Sequence, residues 1–193
     1  MSEIAAEAGL TKPALYAAFP NKAALADALA ERIALDLGRQ IAQLVREDRP
    51  VRDVTHSMIE RFCTLADAEP QLYRFLVHGS VGLDRHFEER RLVNAAAALT
   101  TFGLRLSMQR AGRDDAGAET WAFAVVGGIL YALDWWIDTR LVSLESLIEH
   151  LSAAAWALLA DAGAGQLEGP LIPADQPSIF EDLIINGPKA QAE

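Results

Sequence analysis

Apolar residues recur at spacings of three and four along most of the chain, up to about residue 162. This is the period of a helix with one buried face, and almost no segment shows the strict alternation of a half-buried strand. The sequence therefore predicts an all-α protein. The expected helices span residues 2–8, 12–19, 22–48, 52–68, 70–79, 84–111, 118–139 and 144–162.

Several of these helices begin or end at residues that favour such ends. Thr11 and Asn21 are expected N-caps, because their side chains can accept a hydrogen bond from the first helical turn. Pro13 suits the first turn of its own helix, and Pro50 stops the long helix that precedes it. Gly112 is expected to end another helix, as glycine commonly does.

Composition and charge narrow the class of protein. Hydrophobic residues make up 51% of the chain and charged residues 23%, which excludes intrinsic disorder. The single cysteine, Cys63, allows no intrachain disulfide and favours a reducing compartment. The net charge of −10 means that any contact with a polyanion must be local. Residues 1–49, with six basic and seven acidic side chains, are close to neutral.

We expect neither a targeting segment nor a membrane span in this chain. Its first residues lack a basic stretch followed by an apolar run. The longest uninterrupted apolar run, residues 121–133, has 13 residues, whereas a spanning helix needs about 20. We therefore expect a cytoplasmic protein with no membrane partner.

Residues 2–25 carry the most specific pattern, a helix, a glycine turn and a second helix. The turn is Gly9-Leu10, and Leu15 and Phe19 share one face of the second helix. In a helix-turn-helix unit, the second helix offers its N-terminal end and outer face to the major groove of DNA. The pattern predicts a DNA-binding unit.

Residues 4–25, which read IAAEAGLTKPALYAAFPNKAAL, resemble the DNA-binding segment of the tetracycline-repressor (TetR) family of bacterial transcription regulators. The resemblance rests on the glycine turn, the Leu-Tyr pair, the Phe-Pro-Asn-Lys break and the leucine that follows. The rest of the chain is similar to the family in layout: a long connecting helix, then an all-helical ligand-binding and dimerisation domain.

The resemblance implies a ligand-responsive repressor, a homodimer released from an inverted-repeat DNA operator by a small hydrophobic or aromatic effector. Tyr16 and Lys22 match positions that grip phosphates in the family, and Lys12, Ala14 and Ala17 match positions that face bases. The full set of matched DNA-contacting positions is Thr11, Lys12, Pro13, Ala14, Tyr16, Ala17 and Lys22.

One departure from the family pattern concerns the start of the chain. The family has a helix before the helix-turn-helix, and this sequence begins at the motif itself, so we expect that helix to be missing. Either the true start lies upstream, which we favour, or the motif is partly unfolded. The alternative function is a dimeric small-molecule-binding protein that no longer binds DNA.

Three regions are expected along the chain. Residues 1–30 form an incomplete helix-turn-helix domain, and residues 31–162 form the helical ligand-binding and dimerisation domain. Residues 163–193 form a Gly- and Pro-rich arm. From Ser178 the arm matches a capping box followed by an apolar stripe, which predicts a short docked helix. The alternative is a disordered tail.

The helices at 118–139 and 144–162 are apolar on more than one side. A helix that is apolar all round must be buried all round, so one side needs a partner. A symmetric four-helix interface between two copies satisfies this requirement. The alternative is a monomer in which both helices are central. The expected interface residues are Gly127, Gly128, Tyr131, Trp135, Leu147, Leu151, Ala154 and Leu158.

Three helices, at 52–68, 84–111 and 118–139, are expected to enclose an apolar effector pocket. Taken singly, each of these residues is more simply explained as ordinary core, and the pocket as a whole follows from the resemblance. The expected lining residues are Phe62, Leu65, Ala66, Leu99, Phe102, Leu106, Trp121 and Val125.

Catalysis, metals and cofactors are not expected. The four histidines, His56, His78, His86 and His150, have no Cys or His partner at zinc spacing. The sequence has no Gly-rich phosphate loop and no nucleophile elbow. Asp134, beside two tryptophans, could recognise a cation or be a satisfied interface residue. We predict that the chain is not an enzyme and holds no metal.

Overall fold

The computed structural model describes residues 1–47, 49–78, 91–163 and 165. Within these ranges the chain forms eight α-helices and no strand, which confirms the all-α prediction. The helices are α1 (Ser2–Glu7), α2 (Lys12–Ala18), α3 (Lys22–Arg46), α4 (Val51–Ala68), α5 (Pro70–His78), α6 (Arg91–Arg110), α7 (Ala118–Thr139) and α8 (Leu144–Ala162).

The observed helix limits lie close to the predicted ones. α7 and α8 have the limits that the sequence predicted, and α1 to α5 agree within two residues. α3 ends at Arg46, just before Pro50. The predicted start of α6 at residue 84 and the short helix from Ser178 lie outside the described residues.

Glycine ends two of these helices through the same backbone arrangement. Gly9 and Gly112 have φ values of +67° and +64°, the left-handed region that glycine enters without a Cβ clash. After α1, Leu10 N–H donates to the carbonyl of Ala5 at 2.8 Å and Gly9 N–H to Ala6 at 3.1 Å. Two bonds of this kind form a Schellman motif, which turns the chain sharply.

Side-chain caps begin three of the helices. Thr11 Oγ1 accepts from Ala14 N–H at 3.4 Å, and Asn21 Oδ1 accepts from Ala24 N–H at 2.8 Å. Both predicted N-caps are therefore confirmed. Ser143 Oγ caps α8 by accepting from Ser146 N–H at 3.1 Å. Each cap satisfies a backbone donor that the first turn of a helix leaves without an intrahelical partner.

α4 to α8 form the body of the molecule around one hydrophobic core. α4 packs most extensively on α8, and α6 on α7. Cys63 and Ala66 of α4, Tyr73 of α5 and Leu133 of α7 are among its fully buried side chains. α3 packs on α4 and α5, which joins the helix-turn-helix to this body.

α8 is held by hydrogen bonds at both of its ends. At the start, Trp136 Nε1 donates to the carbonyl oxygen of Val142 at 2.8 Å. At the end, the buried Ser107 hydroxyl of α6 donates to the carbonyl oxygen of Gly163. The guanidinium of Arg113 also donates to the carbonyl oxygen of Asp161 at 3.2 Å. α8 is therefore fixed to α6 and α7 at both ends.

Candidate nucleic-acid interface and ligand cavity

α1 and α2 each bury one residue and leave most of their surface open. Ala5 of α1 is 2% exposed and Leu15 of α2 is 4% exposed, whereas Ile4 and Phe19 are only partly buried. Leu15 is the one buried residue of α2. The remaining sides of α2 therefore face outward.

The seven predicted DNA-contacting residues all lie on this open surface. They are the exposed residues Thr11, Lys12, Pro13, Ala14, Tyr16, Ala17 and Lys22. Lys12 and Lys22 are the first residues of α2 and α3, and Tyr16 is 49% exposed. Backbone N–H groups and positive charge meet at such helix starts, which suits a phosphate. Ala14 and Ala17 offer only methyl groups, which in a major groove can contact a thymine methyl.

A cavity of about 110 Å³ lies in the body of the molecule. Helices α4 to α8 all contribute to its wall, and α4 and α6 supply most of it. None of the lining side chains is charged. They are Val51, Val54, Thr55, Met58, Ile59, Phe62, Val77, Val93, Ala96, Leu99, Thr100, Gly103, Leu104, Val125, Val126, Ile129, Leu130 and Leu159.

The structure brings three of the eight predicted pocket residues to this cavity: Phe62, Leu99 and Val125. The other five, which lie on the same helices but outside the lining, are Leu65, Ala66, Phe102, Leu106 and Trp121. Ala66 belongs to the buried core, and Trp121 packs beside Gly117. The ligand-binding role of these residues stays a prediction.

Sequence reasoning missed much of the α4 side of the cavity. Val51, Thr55, Met58 and Phe62 follow one another at spacings of four, three and four, so they form one stripe along α4. A neighbouring stripe, which includes Cys63 and Ala66, enters the core instead. The spacing of these residues places them on one face of a helix, but Thr55 is polar and interrupts the apolar pattern of that face.

α7 and α8 leave an apolar surface uncovered in a single chain. Of the predicted interface residues, Tyr131 is 81% exposed and Trp135 is 45% exposed. Leu158 and the small residues Gly127, Gly128 and Ala154 are exposed as well, and Leu151 is partly buried. Leu147 differs, because it is 3% exposed and belongs to the core of its own chain.

α7 is also long and apolar enough to cross a membrane by length and composition alone. Within one chain, 22% of its most apolar stretch is buried. Its packing against α6 and α8 makes it a central helix of the body, with one side uncovered.

Polar contacts on the outside of the body join α5 to α7. His78 Nε2 lies 2.9 Å from Asp134 Oδ2, and Arg74 lies 2.5 Å from Asp138. The charge of Asp134 also acts on the nearby Tyr73 hydroxyl. The carboxylate of Asp134, a candidate cation site in the sequence, therefore contacts a side chain of its own chain.

Two buried protonated groups lie beneath these contacts. Burial raises the pKa of the Cys63 thiol to about 12. Burial, followed by the negative charge of Asp134, raises the pKa of the Tyr73 hydroxyl well above its usual range. Tyr73 also donates to the carbonyl oxygen of Leu130 at 3.3 Å. Both groups stay neutral at physiological pH, so Cys63 is a core side chain rather than a reactive thiolate.

An exposed helix-turn-helix, joined by one long helix to an all-helical body with an apolar cavity, defines a helix-turn-helix DNA-binding regulator. Residues 1–29 match the family of bacterial regulatory proteins named tetR, and residues 40–171 match the tetracyclin repressor-like C-terminal domain. The chain belongs to the TetR family of transcriptional regulators. Members of this family typically bind DNA and dimerise, and the family is one of regulators rather than enzymes.

Relatives from a single species cover most of the chain. Two uncharacterized HTH-type transcriptional regulators of Mycobacterium tuberculosis, from strains CDC 1551 / Oshkosh and ATCC 25618 / H37Rv, are each 31% identical to it over 189 residues. The alignment spans 90% of this chain and 79% of each relative.

Proposed function

We propose that this chain is a cytoplasmic, ligand-responsive repressor, a homodimer that leaves an inverted-repeat operator when a small hydrophobic molecule enters the cavity. The observation that carries the proposal is the short path from cavity to helix-turn-helix. Val51, the first residue of α4, lines the cavity, and α3 ends only a few residues earlier at Arg46.

Contacts at the junction of α3 and α4 support this path. Leu44, in the last turn of α3, is buried. Arg49 donates to Glu47 at 3.1 Å and to Ser57 of α4 at 3.4 Å, which ties the connection to α4. Because Val51 and Val54 line the cavity, a molecule that displaces them displaces the end of α3 as well. α3 carries the change to α1 and α2.

The uncovered surface of α7 and α8 supports a homodimer. Seven large hydrophobic side chains are exposed among the described residues, and Tyr131, Trp135 and Leu158 of this surface are three of them. A second copy of the same surface would cover these residues by two-fold symmetry. Two-fold symmetry also repeats α2 about one DNA turn apart, near 34 Å, which matches an inverted-repeat operator.

Fluorescence anisotropy tests the repressor function, with labelled DNA from beside the gene and a series of defined salt concentrations. We expect binding at low salt that weakens steeply as salt rises, because phosphate contacts release counterions. An apolar compound that binds the protein should release the DNA. Equal affinity for this DNA and for a scrambled duplex would contradict sequence-specific repression.

The second candidate is a dimeric small-molecule-binding protein that does not engage DNA. Two observations favour it: the near-neutral charge of residues 1–49, and the methyl-only side chains of Ala14 and Ala17 on the exposed face of α2. Ligand binding with no DNA binding, in a protein that carries a helix ahead of α1, would support this candidate over the repressor.

A further inference from the structure

In the part of the chain that the structure describes, two threonines bring the only hydroxyl groups to the cavity wall. Thr55 of α4 and Thr100 of α6 are lining residues, and the other lining side chains are aliphatic, Phe62, Met58 or Gly103. Both hydroxyl protons are already engaged within the helices. Thr55 Oγ1 donates to the carbonyl oxygen of Val51 at 2.8 Å, and Thr100 Oγ1 donates to that of Ala96 at 2.9 Å.

The two hydroxyl groups on the wall can therefore accept a hydrogen bond from a ligand but cannot donate one. A hydroxyl group has one donor hydrogen and two acceptor lone pairs, so a threonine that has donated can only accept. Among the residues that the structure describes, no lining side chain is a Lys, Arg, His, Asn, Gln or Trp, which are the types that could donate to a ligand. A carbonyl or carboxylate ligand would lose its water without gaining a donor, and this loss is costly, above all for a charge.

Size sets a second limit. The cavity holds about 110 Å³, somewhat less than the roughly 150 Å³ apolar cavity that is known to admit benzene. A single small ring or a short hydrocarbon chain fits this space after a small movement of the wall. A long acyl chain or a fused ring system does not fit without a larger rearrangement.

We propose that the cavity selects a small, neutral, apolar molecule whose one tolerated polar group is a hydrogen-bond donor, such as an alcohol or phenol. Thr55 and Thr100 are the specificity-determining residues. They accept from the donor of the ligand, and they disfavour aldehydes, ketones and carboxylates. This inference deepens the proposed ligand-responsive function and rests on it only for the effect on DNA.

The test uses four compounds that share one ring and differ in one group: toluene, benzyl alcohol, benzaldehyde and benzoate. Their affinities for the full chain are measured by calorimetry without DNA. We expect toluene and benzyl alcohol to bind, benzaldehyde to bind roughly ten-fold more weakly than benzyl alcohol, and benzoate to bind at least a hundred-fold more weakly. Tighter binding of benzaldehyde or benzoate than of benzyl alcohol would overturn the proposal, as would no binding of any compound.

Thr101 of α6 supplies a matched control. It makes the same bond, from its Oγ1 to the carbonyl oxygen of Ala97 at 2.8 Å, but it does not line the cavity. We expect the double variant Thr55→Val and Thr100→Val to lose the preference for benzyl alcohol over benzaldehyde while it keeps its affinity for toluene. Thr101→Val should leave the whole order unchanged, and so should Thr100→Ser, which keeps a hydroxyl group.

A preference that survives the double variant would assign the selectivity to other groups and overturn the role of the two threonines. Toluene binding in the double variant shows that its cavity is intact. DNA release is measured separately. If the expected order holds and the bound compounds do not release DNA, the cavity specificity stands and the repressor function fails.

Discussion

His78 and Asp134 lie 2.9 Å apart across the surface between α5 and α7. One helical turn away on both helices, Arg74 contacts Asp138 at 2.5 Å. The residue numbers rise on α5 as they fall on α7, so the two helices run antiparallel. This pair of contacts fixes the register of α5 on the long central helix.

The two carboxylates should differ in their effect on stability. Asp134→Asn removes the charged partner of His78 at a carboxylate that is only 31% exposed, so we expect a loss of about 1–1.5 kcal/mol in the free energy of unfolding. Asp138→Asn breaks one exposed pair and should cost less than about 1 kcal/mol. Urea unfolding at pH 7 compares them, and equal losses would contradict a special role for Asp134.

Cys63 should make the folded state less stable in alkali. Its pKa is about 12 in the folded chain against an ordinary value of 9.0, so above pH 9 the unfolded thiol ionises while the folded one stays protonated. The unfolded state then binds fewer protons, and stability falls as pH rises towards 12, by up to about 1.4 kcal/mol per pH unit.

Cys63→Ala isolates this effect. Between pH 8 and pH 10, the unmodified chain should lose about 1 kcal/mol more stability than the variant, as measured by urea unfolding. Tyr73 stays protonated in both folded proteins over this pH range, so its ionisation does not distinguish them. Parallel pH profiles for the two proteins would show that the thiol ionises in the folded state.

Tyr131→Asp should prevent dimer formation. Tyr131 is 81% exposed in one chain, and a charge there would have to be buried without a partner in a two-fold interface. Sedimentation velocity should show monomers. Leu29→Asp is the control, since Leu29 is an exposed large hydrophobic residue on α3, away from the α7 and α8 surface. Dimerisation that survives Tyr131→Asp would place the interface elsewhere.

Lys22→Ala should weaken binding to every DNA sequence by a similar factor. A lost phosphate contact reduces the slope of log affinity against log salt by about one. Arg39→Ala is the matched control, because Arg39 lies on the same helix and pairs with Asp36 at 2.6 Å. Loss of affinity for one operator alone would indicate that Lys22 contacts a base.

The helix ends were predictable because their causes are local. Thr11, Asn21, Gly9 and Gly112 act through hydrogen bonds or backbone conformation within a few residues of themselves. Each signal can therefore be interpreted from the sequence without knowledge of the packing.

The cavity wall was only partly predictable because it depends on how each helix is rotated in the body. On α4, Phe62 lines the cavity while Ala66, one turn later, lies in the core. Leu159 of α8 also reaches the wall from a helix that the sequence assigned to the dimer interface. Rotating a helix about its axis by a few tens of degrees would bring one of these stripes to the cavity in place of the other. The apolar pattern of the sequence does not fix this rotation so precisely.

The hydrogen bonds at the two ends of α8 hold one side of the cavity wall in place. Trp136 of α7 donates to the carbonyl oxygen of Val142, just before α8, and Ser107 of α6 donates to that of Gly163, just after it. Under the proposed function, a bound molecule would press on one side against α8, whose ends are held, and on the other side against α4, which leads back to α3. In a dimer joined through α7 and α8, the interface would stay in place while the two α2 helices move. Ligand binding would then change the distance between the two α2 helices rather than the oligomeric state.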